Sequence, residues 1–231
     1  IEEIQYIVQQ TEGTISIGGG RFSMGGQTLS TQSTHLDMRQ MNQVVEFSKE
    51  EKRIKIQAGA RWCDIQAYVD EHDLSVMIMQ TYANFTVGGS VSVNVHGRYM
   101  GLGPVILSIL SVDVVLANGT LKHASRTENS ELFFGVVGGY GGLGILVQVE
   151  LALADNIPVK RVHQKMKRSD YWNFFKENVR SDKEVIFHNA DLYLPSIKRI
   201  NVVSWVKTDE QPNVKHRLMP LKASYPLERY F

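Results

Sequence analysis

The chain has a single cysteine, Cys63, among 231 residues, so it forms no internal disulfide, and a cytoplasmic type of compartment is the default expectation. No apolar run approaches the ~20 residues of a membrane-spanning helix, and no signal peptide is visible. Neither sign of charge is in excess: 25 Lys and Arg stand against 24 Asp and Glu, a formal net charge of +1. A dominant nucleic-acid or anionic-membrane function normally shows a basic excess, so neither partner is expected. The seven histidines, His35, His72, His96, His123, His163, His188 and His216, show no paired spacing, and H-E-x-x-H is missing, so no metal site is expected. G-x-x-x-x-G-K-[ST] and G-x-S-x-G are missing too, which argues against a P-loop triphosphatase and a serine-elbow hydrolase. Cys63 lies beside Trp62 on a predicted helix and reads as a small buried hydrophobe rather than a nucleophile.

What is present is an ordinary globular composition, 43% hydrophobic and 21% charged, in a chain long enough for one large domain or two modest ones. Ile1 to Gln10 has helical spacing, and "TISI" is a short buried strand. "VVEFS" and "RIKIQAG" flank "KEEK" as a hairpin with Ile54, Ile56 and Ala58 on one face. "RWCDIQAYVDEH" puts Trp62, Ile65 and Val69 on one helical stripe, and "LSVMIM" returns as a strand. In "ILSVDVVLANGTLKHAS", Asn118 and Gly119 suit a tight hairpin turn with two positive φ angles. "ENSELFFGVVGG" reads as a helix with a Ser or Asn cap and a glycine stop, and "ILVQVELALA" as a long strand. Beyond Ala154 the texture changes: "DNIPV" resembles a linker, Ser169 to Val179 a helix, and "VIFHNADLYL" and "INVVSWVKT" two strands. The chain starts without methionine and stops at the aromatic-rich "SYPLERYF", so it reads as a fragment of a longer protein.

Glycine concentrates at Gly18 to Gly26, Gly88 to Gly103 and Gly138 to Gly144, each read as a junction between regular elements. Turns rich in backbone N–H and poor in Cβ atoms can wrap a phosphate, so three such clusters point to a nucleotide cofactor. "GYGGLG", Gly139 to Gly144, fits G-x-G-x-x-G, but a helix precedes it and a strand follows, the reverse of a nicotinamide-binding Rossmann unit. His96, in "TVGGSVSVNVHGR", either bonds a carbonyl at a turn or faces a bound ring system.

"SIGGGRFSMGGQ", "TVGGSVSVNVHGR" followed by "GLGP", "VVLANGT", "ENSELFFGVVGGYGGLGI" and "VQVEL" come in the order seen in FAD-linked oxidases. Over residues 4–155 the chain resembles the vanillyl-alcohol oxidase/p-cresol methylhydroxylase superfamily, in particular decaprenylphosphoryl-ribose oxidases and, more distantly, sugar-alcohol and aldonolactone oxidases. The resemblance implies an α+β fold: a PCMH-type FAD-binding domain of two α+β subdomains over residues 1–158, then the beginning of an α+β substrate, or cap, domain over 159–231.

It also implies site residues. The loop of Gly18, Gly19, Gly20, Arg21, Phe22, Ser23, Met24, Gly25 and Gly26 would wrap the pyrophosphate. Thr86, Gly88, Gly89, Val93, His96 and Gly97 would line the flavin and ribityl chain. Gly139 to Ile145 would support the adenine end or the flavin-side strand. Arg21 stands where many relatives carry a flavin-linked histidine, and no cysteine lies near "QTYANFTVGG", so noncovalent FAD is expected. Arg21 would either neutralise a phosphate or pair with Asp37.

The implied activity is oxidation of a CH–OH group in a polyol, sugar-type or hydroxyacid small molecule, with oxygen, a dye-like acceptor or a partner protein taking the electrons. The alternatives are a non-catalytic FAD or nucleotide-binding, electron-transfer module, or a nicotinamide-dependent reductase of the same fold. No catalytic base is assigned; His188 and Tyr193 are read as facing substrate or, more simply, as strand-core or surface residues.

Overall fold

Ile4 and Val8 lie one helical turn apart, and that spacing gives the first helix a face to bury. The computed structural model, which describes residues 1–214 and 217–218, forms helix α1 over Glu2–Gln10. Ile4 and Val8 pack on Leu36, Met38, Val115, Ile145 and Val147, with Ile15 and Ile17 partly buried beside them. Strand β1, Ile15–Gly18, pairs in parallel with β2, Thr34–Asp37, in the register Ile15 to Thr34 through Gly18 to Asp37. The segment "SYPLERYF" and His216 lie outside the described residues.

The main sheet is antiparallel. Strands β3, Val44–Ser48, and β4, Arg53–Gln57, form the hairpin expected around "KEEK", and Ile54, Ile56 and Ala58 are buried. Helix α2, Trp62–Asp70, puts Trp62, Ile65 and Val69 in the core at 0% exposure. Each aliphatic side chain buried in this way contributes roughly 1.5–3 kcal/mol of transfer free energy. The Trp62 indole N–H is satisfied by Gln80 Oε1 and Ser90 Oγ, both at 2.9 Å. Strand β5, Leu74–Val76, is shorter than "LSVMIM" suggests, because after three paired residues the chain leaves the sheet.

Helix α3, Val87–Ser92, corrects the reading of its cluster as a plain junction, since Gly88 and Gly89 are helical. Strands β6, Ile109–Val115, and β7, Leu121–Ser125, then form a hairpin. Its turn differs from expectation: Gly119 has φ +76°, but Asn118 is not in the positive-φ region. The Gly119 amide donates to the Leu116 carbonyl and the Leu116 amide to the Thr120 carbonyl, both at 2.9 Å. This is a three-residue loop, a type I turn closed by a glycine bulge, and it needs only one left-handed residue. Helix α4, Ser130–Val136, begins after Asn129, whose side chain donates to the His123 carbonyl and makes no cap. Strand β8, Ile145–Asp155, completes the sheet in the order β3-β4-β8-β6-β7, with β5 pairing the far end of β8.

One sheet face carries the core and the other a charged network. Arg53 pairs with Glu150 at 2.6 Å, Ser111 donates to Glu150 at 2.7 Å, and Asp113 holds Lys55 at 2.6 Å and His123 at 2.7 Å.

The chain divides into two compact units. The first holds residues 1–96 and 104–155 together with 218, and the second holds 97–103 and 156–214 together with 217. The second is a three-stranded antiparallel sheet of β9, Val159–Lys167, β10, Val185–Leu192, and β11, Arg199–Lys207, in the order β10-β11-β9. The helix expected over Ser169 to Val179 is instead three short pieces: a 3-10 turn at Arg168–Asp170, α5 at Tyr171–Phe175, and a π-helical turn at Lys176–Arg180. Taken together, the elements make an α+β protein. No helix among the described residues is long and apolar enough to cross a membrane.

Candidate functional site

Three segments far apart in sequence meet around one cavity of about 530 Å³ in the first unit. The first follows β1, where Gly19 and Ser23 line the cavity and Gln27 to Ser30 extend the wall. A Cβ at position 19 would run into the Thr86 hydroxyl, and the Gly20 amide donates to that hydroxyl at 3.3 Å. The Gly25 amide is taken by the Gln27 side chain at 3.1 Å. Among the described residues, the amides of Phe22, Ser23 and Met24 donate to no protein acceptor. Of the three, Ser23 lines the cavity, and an unpaired backbone donor there is what an anionic ligand needs.

The second segment is α3 and its flanks, from which Thr86, Gly88, Gly89, Ser92 and Val93 line the cavity. Its position depends on close backbone approach: the Gly88 amide donates to the Ala58 carbonyl at 2.7 Å, and a Cβ at 88 would stand 2.9 Å from that oxygen. The third segment supplies Tyr140 to Gly144. It is tied to α3 by the Gly138 amide on the Val91 carbonyl and the Tyr140 amide on the Ser92 carbonyl, both at 3.0 Å. Here α4 precedes the glycines and β8 follows, the order that argues against a Rossmann unit.

The lining is neutral. Among the described residues it includes no acidic or basic side chain, no histidine and no cysteine; its polar side chains are Ser16, Ser23, Gln27, Thr28, Ser30, Thr86, Ser92 and Tyr140. Apolar walls come from Ile15, Ile17, Met38, Leu146 and others. Such a site holds a charged group by oriented N–H and O–H dipoles rather than by an opposite charge.

Of the residues singled out in the sequence, the structure thus brings together Gly19, Ser23, Thr86, Gly88, Gly89 and Val93, with Tyr140 to Gly144 from the stretch Gly139 to Ile145. Gly18 and Ile145 are buried in β1 and β8 next to lining residues. Gly20, Gly25 and Gly26 share the first loop without lining the cavity, and Met24 there is 86% exposed. Phe22 packs edge-on against Tyr82 and Phe85, with ring centroids 5.3 and 5.0 Å away. Arg21 pairs with Asp37 at 3.1 Å, one of the two roles expected for it. The Asp37 carboxyl lies well below the usual carboxylate range, first because Arg39 hydrogen-bonds it and, more weakly, because Arg21 is close. Gly139 precedes the lining run, His96 is exposed outside it, and Gly97 belongs to the second unit.

Sequence reading missed Ser16, Met38, Ala58 and Ser92 as wall residues. Ser16 carries the only legible signal, a polar residue inside an apolar strand; its hydroxyl bonds His35 Nδ1 at 2.8 Å and Ser33 at 2.9 Å.

The remaining candidates have structural roles. Cys63 is buried, and burial pushes its thiol pKa up, which disfavours the nucleophilic thiolate. In the second unit His188 is 8% exposed, with Tyr171 Oη at 3.0 Å from Nε2 and Ser204 Oγ at 2.9 Å from Nδ1. Burial lowers its pKa, so the imidazole is kept neutral. Tyr193 is a surface residue, 43% exposed, with Lys165 over its ring.

Comparison with known proteins gives the family. The FAD binding domain family matches residues 1–125. Cytokinin dehydrogenase 2 of Arabidopsis thaliana is 30% identical over 167 residues, 72% of this chain and 33% of the relative. L-gulonolactone oxidase of Mus musculus is 20% identical over 226 residues, 92% of this chain and 47% of the relative. The mitochondrial L-galactono-1,4-lactone dehydrogenase of Brassica oleracea is 27% identical over 190 residues, 80% of this chain and 30% of the relative. The chain therefore spans less than half of the length of each of these relatives, from 30% to 47%.

Proposed function

The chain belongs to the FAD binding domain family, and on that premise we propose that it is the FAD-binding part of an oxidoreductase whose diphosphate lies in the neutral cavity of the first unit. The observation that carries this reading is the convergence of Gly19, Ser23, Thr86, Gly88 and Gly89 on one cavity, with the Ser23 amide unpaired. The Ser23 amide and the hydroxyls of Ser23 and Thr86 hydrogen-bond phosphate oxygens. Gly89 leaves room for a flat ring or ribityl chain against α3, and Gly88 lets α3 approach Ala58 closely enough to form that wall. Val93, Leu146 and Met38 exclude water from its apolar parts.

The flavin is held without a covalent bond, since no histidine or cysteine lines the cavity among the described residues. FAD, when bound, supplies a two-electron acceptor for a hydride from a substrate carbon. The donor is a small molecule with a CH–OH group, of polyol, sugar, lactone or hydroxyacid type; relatives named as lactone oxidases and dehydrogenases support this class. A relative named as a cytokinin dehydrogenase favours a second reading, in which the donor is a cytokinin-like molecule.

Anaerobic mixing of the FAD-loaded protein with each class tests the assignment. Bleaching of the flavin by an aldonolactone or polyol supports the first reading, and bleaching by a cytokinin alone supports the second. A flavin reduced only by a nicotinamide or a protein donor overturns both.

A further inference from the structure

The near-neutral net charge conceals a local imbalance in the second unit. Lys167 at the end of β9, Arg168 in the turn after it, Lys198 just before β11 and Arg199 at its start line a cleft of about 570 Å³ with Ser169 and Ser196. Among the described residues, no carboxylate lies within ion-pair distance of any of the four cations. Asp170 is next in sequence, but it takes the Ser169 hydroxyl at 2.7 Å and does not line the cleft.

The backbone holds these charges together rather than apart. Arg199 and Lys167 are register partners on adjacent antiparallel strands, and the Arg168 amide donates to the Lys198 carbonyl at 2.9 Å. Like charges directly opposite on a sheet destabilise it. A strand pair of otherwise soluble residues had no need of that arrangement, and an anion seated between the cations reverses its sign.

We propose that this cleft is an anion site for a phosphate group. Arg168 and Arg199 supply planar forks suited to phosphate oxygens, Lys167 and Lys198 supply point charges, and the Ser196 hydroxyl supplies a neutral donor. The phosphate belongs either to a soluble phosphorylated molecule or to a lipid headgroup. The connection from β10 to the cleft bears on the second source, because Leu192 at the end of β10 and Leu194 after it are 57% and 84% exposed. The site is independent of the FAD assignment and lies wholly in the other unit.

The test uses the FAD-loaded protein, so that the diphosphate cavity is filled. Inorganic phosphate is titrated calorimetrically at low and high salt, and sedimentation is measured with phosphatidylcholine vesicles with and without phosphatidic acid. Binding of either probe, weakened by salt and at least tenfold weaker in Lys198→Glu/Arg199→Glu, is the expected result. Phosphate binding identifies a soluble ligand; binding of phosphatidic-acid vesicles alone, reduced in Leu194→Asp, identifies a lipid. Lys167→Thr gives a readout that does not depend on the double variant folding: it relieves the cross-strand repulsion, so it raises Tm without phosphate while binding falls. No binding of either probe, or binding unchanged in these variants, overturns the proposal.

Discussion

Gly89→Val separates the proposed cofactor role of α3 from its role in folding. Gly89 lines the cavity, is exposed in the cofactor-free protein, and lies in a helix without a positive φ. An added Cβ would meet only the Thr86 hydroxyl, at 3.2 Å, so that neighbour must give by a few tenths of an ångström. In a helix Gly is ~1 kcal/mol worse than Ala and Val ~0.6, so the intrinsic change slightly favours the variant. Stability without FAD should therefore change by less than about 1 kcal/mol, or about 2–4 °C in Tm for a chain of this size. Bound FAD, in contrast, meets an isopropyl group in space it occupies. Overpacking typically costs about 1–3 kcal/mol, which is about 5- to 150-fold in Kd.

Flavin-fluorescence titration of the cofactor-free protein gives Kd, and a thermal melt gives Tm. The control is Gly119→Ala, remote from the cavity: φ +76° and the Gln9 side chain at 2.5 Å from its Cβ make it destabilising. It should lower Tm by several degrees and leave the affinity for FAD alone. Wild-type affinity in Gly89→Val, or loss of affinity in proportion to lost stability in both variants, would refute the placement of FAD against α3.

Three further outcomes follow from the side-chain networks. Arg21→Gln should change FAD affinity by no more than a few-fold in the same titration, because Arg21 is engaged by Asp37 and does not line the cavity. Burial raises the Glu150 carboxyl pKa, but hydrogen bonds from Ser111 and Arg53 outweigh that and hold it below 4.5. Its contribution is present above that value and lost as pH falls through the folded pKa, so Glu150→Gln should flatten the acid limb of a Tm-against-pH curve. His188 has a pKa lowered from 6.5 by burial, so the unfolded chain binds its proton more readily and stability falls as pH drops below that value. His188→Gln should remove that slope from pH-dependent melts, and an unchanged slope would contradict the buried neutral state.

How far the fold was legible depended on whether an element announces itself by burial. Ile54 and Ile56 in β4, and Trp62, Ile65 and Val69 in α2, bury the residues whose spacing revealed them. β9 has no such pattern: from Val159 to Lys167 most of its side chains are exposed, and pairing with β11 rather than an apolar face makes it a strand. β2 buries only Leu36, and α3 is a helix despite two adjacent glycines because tertiary contacts with Ala58 hold it.

The cavity was half legible for a similar reason. Glycine clustering marks where a backbone comes close to something, so Gly19, Gly88 and Gly89 stood out. Met38 and Ala58 carry no chemistry of their own and become wall only once β1, β4 and α3 are brought together. The turn at Asn118–Gly119 shows that a dipeptide can locate a turn without settling its length.

Whether FAD occupies this cavity without a covalent bond is decided by acid precipitation of the flavin-loaded protein. The flavin absorption bands should move entirely into the supernatant in wild type and be weaker in Gly89→Val loaded at the same FAD concentration. Flavin that remains with the pellet would contradict noncovalent binding, and a wild-type protein that takes up no FAD at all would contradict the site itself.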